Sequence, residues 1–102
     1  MNATPVVERC SDGKLMFDCP GCGLAHAVNV DEGTRPRWGW NGDMCCPTFT
    51  PSIRVRWDFG PSRKPKVCHS FVTNGEIQFL NDCTHAHAGK TFPLKPINNE
   101  VT

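Results

Sequence analysis

The pair Cys19 and Cys22, separated by Pro20 and Gly21, is the feature that most constrains how this chain can fold. Two cysteine thiolates at this spacing can share one tetrahedral ion, and the glycine lets backbone N–H groups turn toward the sulfurs. The alternative is a redox-active pair at the start of a helix, as in thioredoxin-like folds. Because no helix-forming run follows Cys22, we predict that the pair supplies the first half of one structural zinc site.

The composition favours a small β protein. The 102 residues include nine Gly and nine Pro, which interrupt the chain every few residues and disfavour long helices. A chain of this length has a limited core and benefits from a metal staple. We therefore predict a mostly β, zinc-ribbon-like fold of short antiparallel strands and hairpins. It forms one domain over residues 1–102, with a core at about 14–94 and loosely ordered termini.

Cysteine usage points to a reducing compartment. Seven cysteines cannot pair completely into disulfides. Residues 1–5 carry neither the basic segment nor the apolar run of a secretory signal, and no apolar stretch approaches the roughly 18 residues of a membrane span. We therefore expect a cytoplasmic protein (host cytoplasm if a phage encodes it) without a membrane partner, in which clustered cysteines bind metal.

The charge balance argues against a dedicated nucleic-acid-binding protein. Eleven basic and ten acidic residues give a net charge of +1, whereas affinity for DNA comes largely from neutralising phosphates. We interpret the one basic group as a solvated strand edge and loop; it comprises Arg54, Arg56, Arg63, Lys64 and Lys66. The expected partner is therefore a protein, as substrate or as binding partner.

Hydrophobic alternation predicts a first hairpin and a further strand. The run 15–17 leads into the Cys19–Cys22 turn, and the segment 25–30 resumes with His26, Val28 and Val30 on one face. Residues 47–51 are predicted to be irregular, and residues 53–57 alternate apolar and basic as in a half-buried strand.

The dipeptide Asn74-Gly75 predicts a second hairpin, because Asn-Gly between two β-rich runs is the strongest short hairpin signal. With these two residues as the loop, residue 73 faces 76, residue 72 faces 77, and the pairing runs back to residue 68. Directly opposed and diagonal residues share a sheet face. If the second strand continues far enough, Cys68 and Cys83 lie on one face, and His69 and Asp82 lie on the other.

This register selects the remaining zinc ligands. A closed structural zinc needs four ligands, so we predict Cys68 and Cys83 beside the first pair. The rivals for a place are His26, His69, His85 and Cys10. Cys10 and the adjacent residues Cys45 and Cys46 are interpreted as free thiols or packing residues.

The same register suggests a hydrolytic site on the opposite face. His69 and Asp82 can form a base and its orienting carboxylate, and Ser52 lies at a loop-to-strand boundary where a nucleophile can be presented. In acyl transfer the imidazole takes the serine proton, the carboxylate fixes the tautomer, and backbone N–H groups hold the oxyanion. The alternative for Ser52 is a hydroxyl that only bonds the local backbone.

Taken in order, these residues resemble a family. The shared positions are Phe17, Cys19 to Gly23, His26, Trp38, Trp40 to Gly42, Pro47 to Phe49, Pro51 to Ile53, Cys68 to Phe71, Gly75, Ile77, Phe79, Leu80 and Asp82 to His85. The set looks like a domain-of-unknown-function family of small phage and bacterial proteins that often carry the label "ammonia monooxygenase". Nothing in the sequence supports that label, since it offers neither a membrane span nor a copper site. Relatives accompany bacterial ubiquitin-like conjugation systems as peptidases that trim or release the modifier. The resemblance therefore implies a zinc-stapled fold and a peptidase.

Three functions remain open from the sequence. The first is a zinc-stabilised serine-type peptidase or hydrolase that acts on a protein tail, with a groove lined by Trp38, Trp40 and the face that bears His69. The second is a non-catalytic module that binds a host or virion protein. The third is a hydrolase in which His26, His69 and His85 surround a catalytic zinc with an open water position.

Overall fold

The computed structural model describes residues 4–57 and 65–96 and confirms the all-β prediction. Two antiparallel sheets contain β1 (Glu8–Arg9), β2 (Leu15–Asp18), β3 (Ala25–Val28), β4 (Gly39–Trp40), β5 (Phe49–Trp57), β6 (Lys66–Thr73), β7 (Glu76–Phe79) and β8 (Thr91–Pro93). No stretch of these two ranges forms a helix long and apolar enough to cross a membrane. Arg63, Lys64 and the tail from Asn98, which also figured in the predictions, lie outside the described residues.

The first sheet has the order β1-β2-β3 and contains the predicted first hairpin. Leu15 pairs with Val28 and Phe17 pairs with His26, so that the turn between β2 and β3 carries Cys19 and Cys22. The predicted inward face is confirmed, because His26, Val28 and Val30 are all buried.

The second sheet has the order β4-β5-β6-β7-β8, and its central hairpin has the predicted register. Thr73 pairs with Glu76 and Val72 pairs with Ile77. Asn74 and Gly75 form the loop with φ angles of 50° and 81°, as a two-residue type I′ turn requires.

Strand β5 begins earlier than the sequence predicts. Residues 49–51, expected to be irregular, belong to the strand, and Phe49 pairs with Val72. The pairing register shifts between Phe49 and Ile53, and a proline is tolerated in a sheet at such an irregularity. Phe49 is 1% exposed, so burial of its ring accompanies the pairing that continues the strand past Pro51.

The core lies between the two sheets. Phe17 from β2 and Phe49 from β5 meet with ring centroids 6.2 Å apart, while Ile77 and Phe79 from β7 fill the same layer. Burying each such side chain contributes roughly 1.5–3 kcal/mol. Alternation along β6 then points Cys68 into this core and His69 out of it, as their burial shows. The inner face of the second sheet therefore carries Cys68, and its outer face carries His69.

Candidate active site and metal centre

Ser52 and His69 meet on the outer face of the second sheet. Arg54 pairs directly with His69, and Ser52 lies two residues before Arg54 in β5. The Ser52 Oγ lies 2.8 Å from the His69 Nε2. Ser52 lies in the stretch between Phe49 and Ile53 where the register shifts, within a strand and not at the predicted loop-to-strand boundary.

Asp82 reaches the other nitrogen of the same imidazole. Its Oδ2 lies 3.0 Å and its Oδ1 3.2 Å from the His69 Nδ1. A carboxylate accepts, so the Nδ1 carries the proton and the Nε2 is left to accept the Ser52 hydroxyl. The side chains of His69 and Asp82 are 22% and 52% exposed. The structure thus brings the three predicted residues into one hydrogen-bonded chain that is open to solvent.

Three further hydrogen bonds hold the backbone at this site. The Trp38 Nε1 donates a hydrogen bond to the Ser52 carbonyl oxygen at 3.2 Å. The His69 N–H donates to the Cys83 Sγ at 3.2 Å, and the Cys83 thiol donates to the His69 carbonyl oxygen at the same distance. These contacts were not predicted from the sequence, which suggested Trp38 as a groove wall and Cys83 as a metal ligand.

Four donors gather on the inner side of the second sheet, where it faces the β2–β3 hairpin. One ligand atom from each of Cys19, Cys22, His26 and Cys68 lies within 4.8 Å of all the others. The Cys19 and Cys68 sulfurs are 3.7 Å apart, and the Cys22 Sγ lies 3.3 Å from the His26 Nε2. Three thiols and one imidazole form a donor set that structural zinc sites use. The group can therefore hold a metal ion.

Cys83 and His85 belong to a second group, which shares Cys68 with the first. The first group takes His26 where the sequence analysis chose Cys83. The physical reason is that β7 ends at Phe79, after which the Cys83 N–H bonds to the Leu80 carbonyl oxygen in a turn. The strand therefore does not continue to residue 83.

The remaining cysteines lie elsewhere. Over the described ranges, Cys10, Cys45 and Cys46 join neither donor group, in line with their interpretation as free thiols. The predicted alternative with three histidines around one ion is not formed in these ranges either. His69 belongs to neither donor group and bonds Ser52 and Asp82 on the opposite face.

The closely spaced thiols shift one another's protonation. The contact between the Cys19 and Cys68 sulfurs lowers the pKa of Cys19 to about 3 and raises the pKa of Cys68. Burial raises the pKa of Cys22 and lowers the pKa of His85. A bound cation would favour the thiolate form of these cysteines, since thiolates and not thiols are metal ligands.

Fold and site together define a class of protein: an all-β chain with a Ser–His–Asp hydrogen-bonded chain on one face of a sheet and a Cys/His donor group on the other. The family described as bacterial ubiquitination-like system serine protease (BubE) matches residues 2–80, and the chain belongs to this family. Ser52 and His69 lie inside the matched range, and Asp82 follows it by two residues. No curated protein and no solved structure matches the chain.

Proposed function

We propose that this protein is a serine-type peptidase, stabilised by one structural zinc ion, that cleaves an exposed tail of a protein. The observation that carries the proposal is the hydrogen-bonded chain from the Ser52 Oγ through both nitrogens of His69 to the Asp82 carboxylate. Membership of a serine protease family supports the same assignment. We also propose that the protein acts in the cytoplasm and is of phage or bacterial origin.

Each residue has a defined part in the proposed reaction. The Ser52 Oγ attacks the scissile carbonyl carbon while the His69 Nε2 takes the hydroxyl proton. As the C–N bond breaks, His69 passes this proton to the leaving amine. Water then attacks the acyl ester on Ser52 with His69 again as base, which releases the acid and regenerates the hydroxyl. Asp82 holds the imidazole tautomer and stabilises the imidazolium throughout.

The metal has a structural part in this proposal. Zinc fits the three thiols and one imidazole of the first donor group, and a closed site of four protein ligands leaves no position for a substrate. Bound there, the ion would tie the β2–β3 turn, which carries Cys19 and Cys22, to β6, which carries Cys68. His69 follows Cys68 directly, so the bound ion would fix the strand that carries the proposed base.

The shape of the site supports a protein tail as the substrate. Ser52 and His69 lie on β5 and β6, and the side chains of His69 and Asp82 are 22% and 52% exposed. Phe71, two residues beyond His69 on the same strand, is 42% exposed. An open face of this kind can receive an extended chain. The family description names a ubiquitination-like system, so we propose that the tail belongs to the ubiquitin-like modifier of such a system.

A cleavage assay tests the proposal. A modifier from a bacterial ubiquitination-like operon, fused through its tail to a reporter protein, is incubated with the wild-type protein and with Ser52→Ala. We expect a single cut by the wild type and none by Ser52→Ala. The control variant Ser11→Ala changes an exposed residue outside the site and should be as active as the wild type. Binding of the fusion without cleavage would favour the non-catalytic module instead. Equal cleavage by Ser52→Ala would also contradict the proposal.

A further inference from the structure

Arg54 occupies a position beside the proposed reaction centre that the mechanism does not use. It pairs directly with His69 across β5 and β6, which places the two side chains on the same sheet face. Opposed residues of this kind have Cβ atoms about 4.5–5.5 Å apart. Ser52 lies on this face as well, since its Oγ contacts the His69 imidazole. The backbone pairing therefore places Arg54 beside His69, on the face that carries the proposed reaction centre.

This guanidinium has no partner within the described part of the chain. Arg54 is exposed, and no carboxylate of residues 4–57 or 65–96 forms an ion pair with it. The nearest acidic residue of the site, Asp82, bonds His69 from the β7 side, whereas Arg54 flanks His69 from the β5 side. Arg56, also exposed, continues the cationic row along the same face of β5.

The surface near His69 also contains an exposed apolar side chain, in contrast to the cationic Arg54. Phe71 is one of the few large apolar side chains that the described residues leave exposed, and it shares the outer face because it lies two residues from His69. A substrate chain laid over the site therefore meets a cationic side at Arg54 and an apolar side at Phe71. Such asymmetry selects both the orientation and the sequence of a peptide.

We propose that Arg54 is a specificity-determining residue that binds a carboxylate of the substrate close to the scissile bond. The inference rests on the proposed peptidase function and adds the chemistry of the preferred tail. A guanidinium binds a carboxylate with two parallel N–H···O hydrogen bonds, a geometry that a lysine ammonium does not reproduce. The carboxylate comes either from an acidic side chain near the cut or from the terminus of a short tail.

Peptide cleavage with a charge swap tests the inference. Internally quenched peptides built on the tail of the modifier carry Asp, Ala or Lys in turn at each of three positions on either side of the cut. We expect Asp at one position to raise kcat/KM by on the order of 10- to 100-fold over Ala, as a charge-assisted hydrogen bond allows. Arg54→Glu should reverse this order and favour Lys at the same position. Arg35→Glu, an equal charge change on an exposed loop residue, should leave the order unchanged.

Two further arms separate the sources of the carboxylate. Peptides with an amidated C-terminus lose the terminal carboxylate but keep the acidic side chains. If amidation alone removes the dependence on Arg54, the terminus is the ligand; if only Asp→Ala removes it, the side chain is the ligand. Both results support the inference. Arg54→Lys should recover only part of the preference, because it restores the charge but not the paired hydrogen bonds.

Labelling of Ser52 by a fluorophosphonate separates failure of this inference from failure of the proposed function, since the probe carries no substrate carboxylate. Normal labelling of Arg54→Glu together with an unchanged order of peptides would overturn the role of Arg54 and leave the peptidase intact. An equal loss of kcat/KM on all peptides in Arg54→Glu would also overturn the specificity role, because Arg54 would then act on the reacting group. Absence of labelling and cleavage in the wild type would remove both proposals.

Discussion

Cys68 and His69 are consecutive residues of β6 that contribute to different sites on opposite faces of one sheet. The Cys68 Sγ lies 3.7 Å from the Cys19 Sγ in the donor group, and the His69 Nε2 lies 2.8 Å from the Ser52 Oγ on the outer face. The period of two along a strand produces this separation. Any change that shifts β6 by one residue would exchange the two side chains and remove both sites.

Replacing Asp82 by Asn should lower kcat by about 10³- to 10⁴-fold with little change in stability. The amide can donate to the His69 Nδ1 and so favours the tautomer that places the proton on the Nε2, where it no longer accepts the Ser52 hydroxyl. The measurement is kcat on the fused modifier, with circular dichroism to verify the fold. Asp18→Asn, on an exposed residue of β2, serves as the matched control. Activity within a few fold of wild type would show that Asp82 does not orient the imidazole.

Trp38→Phe should reduce kcat/KM by roughly 2- to 10-fold, because it removes one neutral hydrogen bond to the backbone of Ser52 while it keeps an aromatic ring. Trp40→Phe is the matched control, since the Trp40 Nε1 donates to a different carbonyl oxygen, that of Asp43, at 3.2 Å. Equal effects of the two changes on kcat/KM would mean that the Trp38 bond does not position Ser52.

Purified protein should contain one zinc ion per chain, and removal of the ion should unfold it. A structural zinc in a small domain is coupled to folding with an apparent stabilisation of about 10 kcal/mol or more. Cys19→Ser should lose zinc and unfold, whereas Cys45→Ser and Cys46→Ser should keep both zinc and fold. Metal analysis by mass spectrometry and thermal denaturation measure these outcomes. A native fold after complete metal removal, or zinc loss from Cys45→Ser, would contradict the proposed structural zinc site.

The fourth ligand should be His26. We expect His26→Ala to weaken zinc binding by at least tenfold in competition with a chelator, and Cys83→Ser to retain wild-type affinity. Absorption of a cobalt-substituted protein distinguishes the donor sets, because each thiolate adds intensity to the sulfur-to-metal charge-transfer band. Loss of band intensity in Cys83→Ser with no effect of His26→Ala would restore the sequence-based choice of Cys83.

Local sequence patterns were enough to predict the two hairpins and the sheet face that each of their side chains occupies. Asn74-Gly75 favours a two-residue loop, and alternation then fixes which face each of Cys68 and His69 occupies. Cys83 lies close to Cys68, as the register predicted, but the strand that was expected to carry it ends at Phe79. The position of Cys83 depends on the turn after Phe79, in which the Cys83 sulfur meets the His69 backbone, and no local pattern fixes where a strand ends.

The start of β5 shows the same limit. Pro51 and its neighbours indicate irregular structure when read alone, but Phe49 pairs with Val72 and its ring packs against Phe17. This tertiary contact is invisible in the local sequence. The placement of Ser52 beside His69 likewise depends on the pairing of β5 with β6, which the sequence suggests only as a neighbouring strand.

Active-site labelling is the direct test for a serine-type active site. The wild-type protein is treated with a fluorophosphonate, digested and analysed by mass spectrometry to locate the adduct. We predict a single adduct on Ser52, abolished in Ser52→Ala and strongly slowed in His69→Ala, in which the proposed base is absent. The Ser11→Ala variant should label as the wild type does. Absence of an adduct on Ser52 in the folded, metal-loaded protein, or equal labelling of His69→Ala, would contradict the assignment of a serine-type active site.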